Sequence, residues 1–161
     1  MRIVITGATG FIGSYLAALF LREGAEVFAL SRPDSPNLKA LPVHENLHIV
    51  PWSMDRAGDC VSQIGSADAF FHFAWGGVNR QEIDSPEVIR AAKALSCSVF
   101  MDAGSRVEYG LTDGIMSEDR ECAPINQYGK AKWEFYQKAA PLCKELGLHY
   151  FHLRFFSVYG P

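Results

Sequence analysis

The sequence predicts an α/β fold in which a doubly wound parallel β-sheet carries helices on both faces. Short apolar, β-branched runs alternate with segments of helical periodicity along almost the whole chain. Parallel strands need crossover connections that helices usually supply, so this alternation is typical of a parallel sheet. A glycine-rich turn between the first apolar run and the first helical segment supports the same fold.

The predicted strands share short apolar sequences and cover residues 2–6, 26–30, 47–51, 68–73, 98–102 and 149–154. The predicted helices cover residues 11–23, 55–64, 86–96 and 126–146. The first helix ends at Gly24, a common C-terminal signal. We expect Ser85 to cap the third helix, Asn126 to cap the fourth, and Pro141 to kink or restart the fourth.

The composition is that of an ordinary globular domain, with 161 residues, 48% hydrophobic side chains and a net charge of −3. This length allows one domain with its own core, and no repeat or linker divides residues 1–161. The charge and the lack of a basic stripe argue against nucleic acid as a partner. No apolar run reaches the roughly 18–20 residues that span a bilayer, and the N-terminus lacks a signal-peptide pattern. We therefore expect a cytoplasmic protein with no membrane partner.

The cysteines and histidines give no sign of a metal site or a disulfide framework. The four cysteines lack a C-x-x-C spacing, and the five histidines lack a metal-ligand spacing. We therefore expect reduced, buried thiols and no bound metal. His149 and His152 are expected to flank the last strand and to pack or form hydrogen bonds there.

The glycine-rich turn has the spacing G-x-x-G-x-x-G and lies between the first strand and the first helix. The first glycine permits a tight turn, the second lets the backbone approach a pyrophosphate, and the third lets the helix pack on the sheet. The N-terminus of the helix offers free N–H groups to phosphates. The predicted cofactor contacts of this turn are Gly7, Thr9, Gly10, Phe11, Ile12 and Gly13. The alternative is a structural turn without a ligand.

The end of the second strand predicts which dinucleotide binds. An acidic residue at this point suits the ribose 2′-OH of NAD, whereas an arginine suits the 2′-phosphate of NADP. This chain has Ser31 followed by Arg32, and arginine binds phosphate in a bidentate manner. We therefore expect NADP or NAD, with NADP favoured. Two alternatives remain open: Arg32 is a solvated loop residue, or Asp34 turns inward and restores a preference for NAD.

Four further motifs follow the glycine turn in order: FHFAWGG at 71–77, AGSRVEYG at 103–110, YGKAK at 128–132 and RFFSVYGP at 154–161. With these motifs the chain resembles the extended short-chain dehydrogenase/reductase superfamily and, more narrowly, its NAD-dependent epimerase/dehydratase family. The resemblance covers the whole chain. It implies a Rossmann-type sheet with strand order 3-2-1-4-5-6. It also implies an enzyme that epimerises, dehydrates or reduces a nucleotide-activated sugar.

The resemblance also implies catalytic residues. Tyr128 matches the acid/base tyrosine of the family, Lys132 its lysine, and Ser105 the residue that holds the substrate oxygen. A phenol titrates near pH 10 in water, and a nearby ammonium favours its ionised form. Taken alone, the Tyr128–Lys132 pair is equally compatible with an ordinary helix surface, since i, i+4 pairs of this kind are common.

Lesser positions follow from the same resemblance. Ala74 and Trp75 match residues that line the cofactor, although Trp75 fits core packing equally well. Tyr109 and Gly110 are expected to be structural, and Glu108 is expected to be a solvated loop acid rather than a substrate contact. The helices at 86–96 and 126–146 are the expected interface of a homodimer.

The chain departs from the family pattern in three places. Trp52 stands where an adenine-binding aspartate is usual, so Ser53 or Asp55 replaces it or the indole covers the ring. The segment between residues 77 and 99 is shorter than the corresponding segment usually is in this family. From the resemblance we expect the C-terminal substrate domain to be missing after Pro161, and Ser157 stands where the family often has an asparagine. We therefore expect cofactor binding with little or no turnover, and a non-catalytic dinucleotide-binding module is the alternative function.

Overall fold

The computed structural model describes residues 1–76 and 86–160, which form a six-stranded parallel sheet with helices packed against it. The strands are β1 (Arg2–Thr6), β2 (Glu26–Ser31), β3 (Leu47–Pro51), β4 (Ala69–His72), β5 (Val99–Ser105) and β6 (His149–Phe155). Their order is β3-β2-β1-β4-β5-β6, and every neighbouring pair is parallel. The predicted strand order is confirmed.

The helices are α1 (Phe11–Arg22), α2 (Cys60–Ile64), α3 (Glu87–Ala94) and α4 (Gln127–Leu146). A 3₁₀ segment, Met54–Asp59, leads into α2, so the weak helix predicted at 55–64 is really two short pieces. Asn126 caps α4 as predicted, since its side chain accepts a 2.7 Å hydrogen bond from the Gly129 N–H. The expected cap Ser85 lies outside the described residues.

Two apolar clusters fill the two faces of the sheet, because successive side chains of a strand point to opposite faces. Val4 joins the cluster beneath α2, α3 and α4, where Phe70 and Phe100 are fully buried. Ile3 and Ile5 join the cluster beneath α1. Burial on both faces explains why the central strands read as continuous apolar runs.

Three boundary expectations need correction. The fifth strand extends to Ser105 rather than ending at 102, because β6 pairs with it over its full length. His149 and His152 lie inside β6 and do not flank it. The fourth helix does not restart at Pro141, since α4 is continuous to Leu146. The expectation of buried thiols holds for three cysteines, Cys60, Cys97 and Cys143, and all four are free.

Candidate active site

The glycine turn lies at the carboxyl end of β1, where its backbone packs closely against neighbouring segments. Gly7 has φ +69°, and a Cβ there would lie 2.6 Å from the backbone carbonyl carbon of Phe73. A Cβ on Gly13 would overlap the carbonyl oxygen of Gly7. Any side chain at either position would therefore displace α1 from β1 or distort the turn.

A cleft of about 530 Å³, here called the β2 cleft, opens between the glycine turn and the ends of β2, β3 and β4. Of the predicted cofactor contacts, those that line it are Gly7, Thr9, Gly10, Ser31, Arg32, Ala74 and Trp75. Asp34 is not among the described residues that line this cleft, whereas Asp55 is. A hydrogen bond from Ser53 holds the pKa of the Asp55 carboxyl below its usual value.

Trp52 occupies one wall of the β2 cleft, in the position where the family pattern has an aspartate. Its indole is 7% exposed, and its Nε1–H donates a 3.3 Å hydrogen bond to the carbonyl oxygen of Ala57. Because its polar edge is used internally, the indole offers the cleft an apolar surface. Ser53 and Asp55 supply polar atoms beside it.

A second cleft of about 420 Å³, here called the serine cleft, joins the glycine turn to the ends of β5 and β6. The predicted residues that line it are Gly7, Gly10, Phe11, Ile12, Gly13, Trp75, Ser105, Tyr128 and Lys132. The structure therefore brings the three predicted catalytic side chains into one cavity. The two clefts share Gly7, Gly10, Phe73 and Trp75, so they form neighbouring parts of one site.

Trp75 lies between the two clefts and contacts both predicted catalytic residues of α4. Its ring meets the Tyr128 ring edge-on with centroids 5.2 Å apart. The Nζ atom of Lys132 lies 4.2 Å from the centroid of the same indole, a cation–π contact. Trp75 is half-buried and lines both clefts, and its predicted contact with the cofactor stays a prediction.

Ser105 is the last residue of β5 and caps a short 3₁₀ helix, Arg106–Tyr109. Its hydroxyl oxygen accepts a hydrogen bond from the Val107 N–H at 3.5 Å, and its own N–H donates to Oε1 of Glu108 at 2.6 Å. These two bonds form a capping box. They orient Ser105 at the mouth of the serine cleft.

Two glycines make close backbone contacts around residues 105–110, here called the serine turn. A Cβ on Gly129 would lie 2.7 Å from the carbonyl oxygen of Val107, so the first turn of α4 rests directly on the turn. Gly110 has φ +79°, and a Cβ there would overlap the carbonyl oxygen of Ala123. Both ends of the loop at residues 111–125 are therefore fixed by close backbone contacts.

The expectation that Glu108 is a solvated loop acid is wrong, since its side chain is fully buried. Its Oε2 atom lies 2.8 Å from Nε2 of His152 and 3.3 Å from Nε of Arg154. Sequence reasoning missed this because the partners are 44 and 46 residues away and the contacts form only when β5 and β6 pair. Tyr109 is structural as expected: it is buried, and its hydroxyl bonds Ser117 and Arg154.

Thr6, which sequence reasoning also missed, organises the end of β4. Its buried hydroxyl lies 2.8 Å from Nδ1 of His72 and accepts a 3.2 Å hydrogen bond from the Ala74 N–H. The segment that carries Ala74 and Trp75 is thus tied to β1. A threonine at the last position of the first strand is the available sequence signal.

Within residues 1–76 and 86–160, no group of three or more histidine, cysteine, aspartate or glutamate side chains is arranged to hold a metal ion. None of the helices in the same residues is both long and apolar enough to cross a membrane.

The model of the NAD dependent epimerase/dehydratase family matches residues 3–161. A match over nearly the whole length means that the chain belongs to this family of enzymes, as its motifs predicted. The sequence is also similar to two curated proteins. An uncharacterized UDP-glucose epimerase of Bacillus subtilis (strain 168) is 29% identical over 185 residues, covering 100% of this chain and 58% of the relative. The dTDP-6-deoxy-L-talose 4-dehydrogenase (NAD(+)) of Aggregatibacter actinomycetemcomitans is 28% identical over 174 residues, covering 99% and 62%.

A solved structure shares the fold. It is the UDP-glucuronic acid 4-epimerase of Bacillus cereus in complex with UDP-glucuronic acid and NAD. The TM-score is 0.85 at 23% sequence identity, over 100% of this chain and 58% of that one. The chain therefore spans about three fifths of the length of these relatives.

Proposed function

We propose that this chain forms the cofactor-binding and proton-transfer part of an NAD(P)-dependent enzyme that modifies a nucleotide-activated sugar. The observation that carries the proposal is the convergence of Ser105, Tyr128 and Lys132 on one cleft that continues into the glycine turn. A purely structural glycine turn would not require this convergence. The sugar nucleotides bound or transformed by the similar proteins support the substrate class.

In this proposal Tyr128 moves a proton to or from a sugar hydroxyl. Lys132 lies one helical turn further along α4 and lines the same cleft as Tyr128. The Trp75 indole contacts both the Lys132 ammonium and the Tyr128 ring. The Ser105 hydroxyl binds the oxygen that gains or loses the proton. A nicotinamide bound in the serine cleft would supply the hydride chemistry.

The substitution Tyr128→Phe tests this assignment. We expect unchanged cofactor binding in this chain. In a full-length protein that contains it, we expect a loss of sugar turnover of about 10²-fold or more, because general acid–base catalysis contributes on this scale. Binding is measured by titrating tryptophan fluorescence, since Trp52 and Trp75 both line the β2 cleft. The matched control is Tyr159→Phe, whose ring is 93% exposed. Equal turnover in Tyr128→Phe and the control would refute the assignment.

The cofactor preference that we propose is NADP, and it rests on Arg32. This exposed guanidinium lines the β2 cleft directly after β2, where Asp34 does not reach. A 2′-phosphate there would accept charge-assisted hydrogen bonds, worth about 1.5–3 kcal/mol each. Arg32→Ala should therefore raise the Kd for NADPH by about tenfold or more and leave the Kd for NADH unchanged. Arg22→Ala, at the end of α1, is the control, and tighter binding of NADH by the unaltered protein would refute the preference.

The proposal includes a homodimer formed through the helices at 86–96 and 126–146. Sedimentation or size-exclusion measurements across a range of protein concentrations test it. A monomer at all concentrations would remove this part and leave the cofactor and catalytic assignments in place.

A further inference from the structure

A buried chain of charged groups lies directly behind Ser105. The Asp102 carboxylate oxygens both lie 3.0 Å from Nδ1 of His152, and Nε2 of the same ring lies 2.8 Å from Oε2 of Glu108. The other oxygen of Glu108 accepts the Ser105 N–H. The side chains of Asp102, His152 and Glu108 are at most 5% exposed. A continuous path of hydrogen bonds thus runs from the interior of β5 to the serine turn.

Both ring nitrogens of His152 face carboxylates, which only accept hydrogen bonds when ionised, so the ring must donate from both nitrogens. The ring is then an imidazolium. Burial alone would lower the pKa of His152, but its hydrogen bonds to Asp102 and Glu108 outweigh burial and raise it to about 9. With Arg154 beside Glu108, the buried cluster contains two negative and two positive charges.

The groups that neighbouring elements place around His152 add no further charge to the cluster. The Tyr150 hydroxyl, whose pKa is raised by burial and by nearby Asp102, lies 3.4 Å from Nδ1 of His152, and the Tyr136 ring packs against the imidazole. The thiols nearest the two carboxylates also stay neutral. Burial and Asp102 raise the pKa of Cys143 to about 12, and burial raises that of Cys122.

The side chains of His152 and Glu108 fill the space beside Gly104, directly behind Ser105. A Cβ there would lie 2.6 Å from Cε1 of His152 and 2.8 Å from Oε1 of Glu108. Asp102 and His152 are also directly paired in the register of β5 and β6. An ordinary capping glutamate needs neither a reserved cavity nor an imidazolium, because it is satisfied at the surface by its N-cap N–H.

We propose that Glu108 is a positioning residue for Ser105, and that His152 and Asp102 lock its carboxylate in the orientation that the serine turn requires. This inference rests on the proposed function, in which Ser105 binds the substrate oxygen. The Ser105 hydroxyl oxygen accepts a hydrogen bond from the Val107 N–H, so the hydroxyl hydrogen is left to donate to the substrate oxygen. Loss of the Glu108 anchor frees the turn and misdirects this donor.

A double-mutant cycle, measured in a full-length protein that contains this chain, tests the proposal. Glu108→Gln should lower kcat by about tenfold, the equivalent of one charge-assisted hydrogen bond, with KM and cofactor Kd unchanged. Ser105→Ala should lower kcat at least as much, and the double variant should be no worse than Ser105→Ala alone. Additive losses would overturn the proposal. Glu121→Gln, an exposed acid in the adjacent loop, is the matched control and should leave kcat unchanged.

Nitrogen-15 NMR of the unaltered protein gives a second test that requires neither turnover nor a variant that folds poorly. Both ring nitrogens of His152 should carry protons at pH 7, and the ring should titrate at about pH 9. The Ser105 amide resonance should follow the same titration. A neutral ring at pH 7, or a Ser105 amide that does not respond, would overturn the proposal. If the proposed function fails instead, Tyr128→Phe turns over sugar like its control while this titration persists.

Discussion

Raising the pH from 6.5 to 9 should remove about 3 kcal/mol from the free energy of unfolding, because His152 loses its proton in the folded protein. The ordinary pKa of histidine is 6.5, and the pKa of folded His152 is raised to about 9 by its two carboxylate partners. The values differ by about 2.5, and each whole unit corresponds to about 1.4 kcal/mol. Only 5% of this side chain is exposed, so solvent screens the interaction little.

The sign follows from where the protons are bound. Below pH 6.5 the folded and unfolded chains both carry the proton, and the stabilisation is fully present. Between pH 6.5 and about 9 only the folded chain carries it, so stability falls by about 1.4 kcal/mol per pH unit. Above about 9 the contribution is lost.

Urea unfolding at half-unit steps from pH 6.5 to 8.5 measures this slope. The range stops there because unfolded thiols ionise near pH 9, and the pKa values of buried Cys97 and Cys143 are raised to about 12 by burial. His149→Gln, an exposed histidine of the same strand, should keep the slope. A stability that stays flat over this range would refute the imidazolium bridge.

Three further substitutions have defined outcomes. Gly13→Ala should cost about 1–3 kcal/mol of stability through overpacking and should abolish cofactor binding, because its Cβ overlaps the Gly7 carbonyl oxygen. Thr6→Val should cost about 1–3 kcal/mol, since the hydroxyl that bonds His72 and Ala74 is lost. Phe100→Ala should cost about 3–5 kcal/mol, because the fully buried ring packs against Phe70 and Tyr150. Denaturant unfolding measures all three.

Each substitution has a matched control. Gly58→Ala introduces a Cβ into open space, Thr112→Val changes a threonine whose hydroxyl makes a weak 3.7 Å contact with the sulfur of Met116, and Phe151→Ala truncates a half-exposed ring on β6. Gly58→Ala and Thr112→Val should each change the free energy of unfolding by less than about 0.5 kcal/mol. Phe151→Ala should lower it by less than Phe100→Ala does. A Gly13→Ala variant as stable as Gly58→Ala would contradict the close packing of α1 on β1.

Local features of the chain were predictable because their causes are local. The glycine turn, the Asn126 cap and the alternation of strands and helices each depend on residues within a few positions of one another. The strand order followed from the family resemblance and is confirmed. The convergence of Ser105 and Tyr128 was also expected, because both follow from motifs placed at the carboxyl end of a parallel sheet.

The features that were missed depend on pairing between distant segments. A glutamate in a Gly-flanked turn has the composition of a solvated loop, and only the register of β5 and β6 brings His152 and Arg154 to Glu108. The extension of β5 to Ser105 has the same cause, since β6 supplies its partners. Trp75 was undecided because a tryptophan after a buried strand fits a core or a site, and only Tyr128 and Lys132 across the cleft distinguish them.

Because of the close contacts at Gly110 and Gly129, the relative positions of Ser105 and Tyr128 do not depend on the length of the loop at residues 111–125. Because the serine turn rests directly on the first turn of α4, the loop between them spans two ends that are already fixed. Its exposed Leu111 and Ile115 make it a surface that can be exchanged. A loop of another length can therefore join the same two ends, while Ser105 and Tyr128 keep their separation.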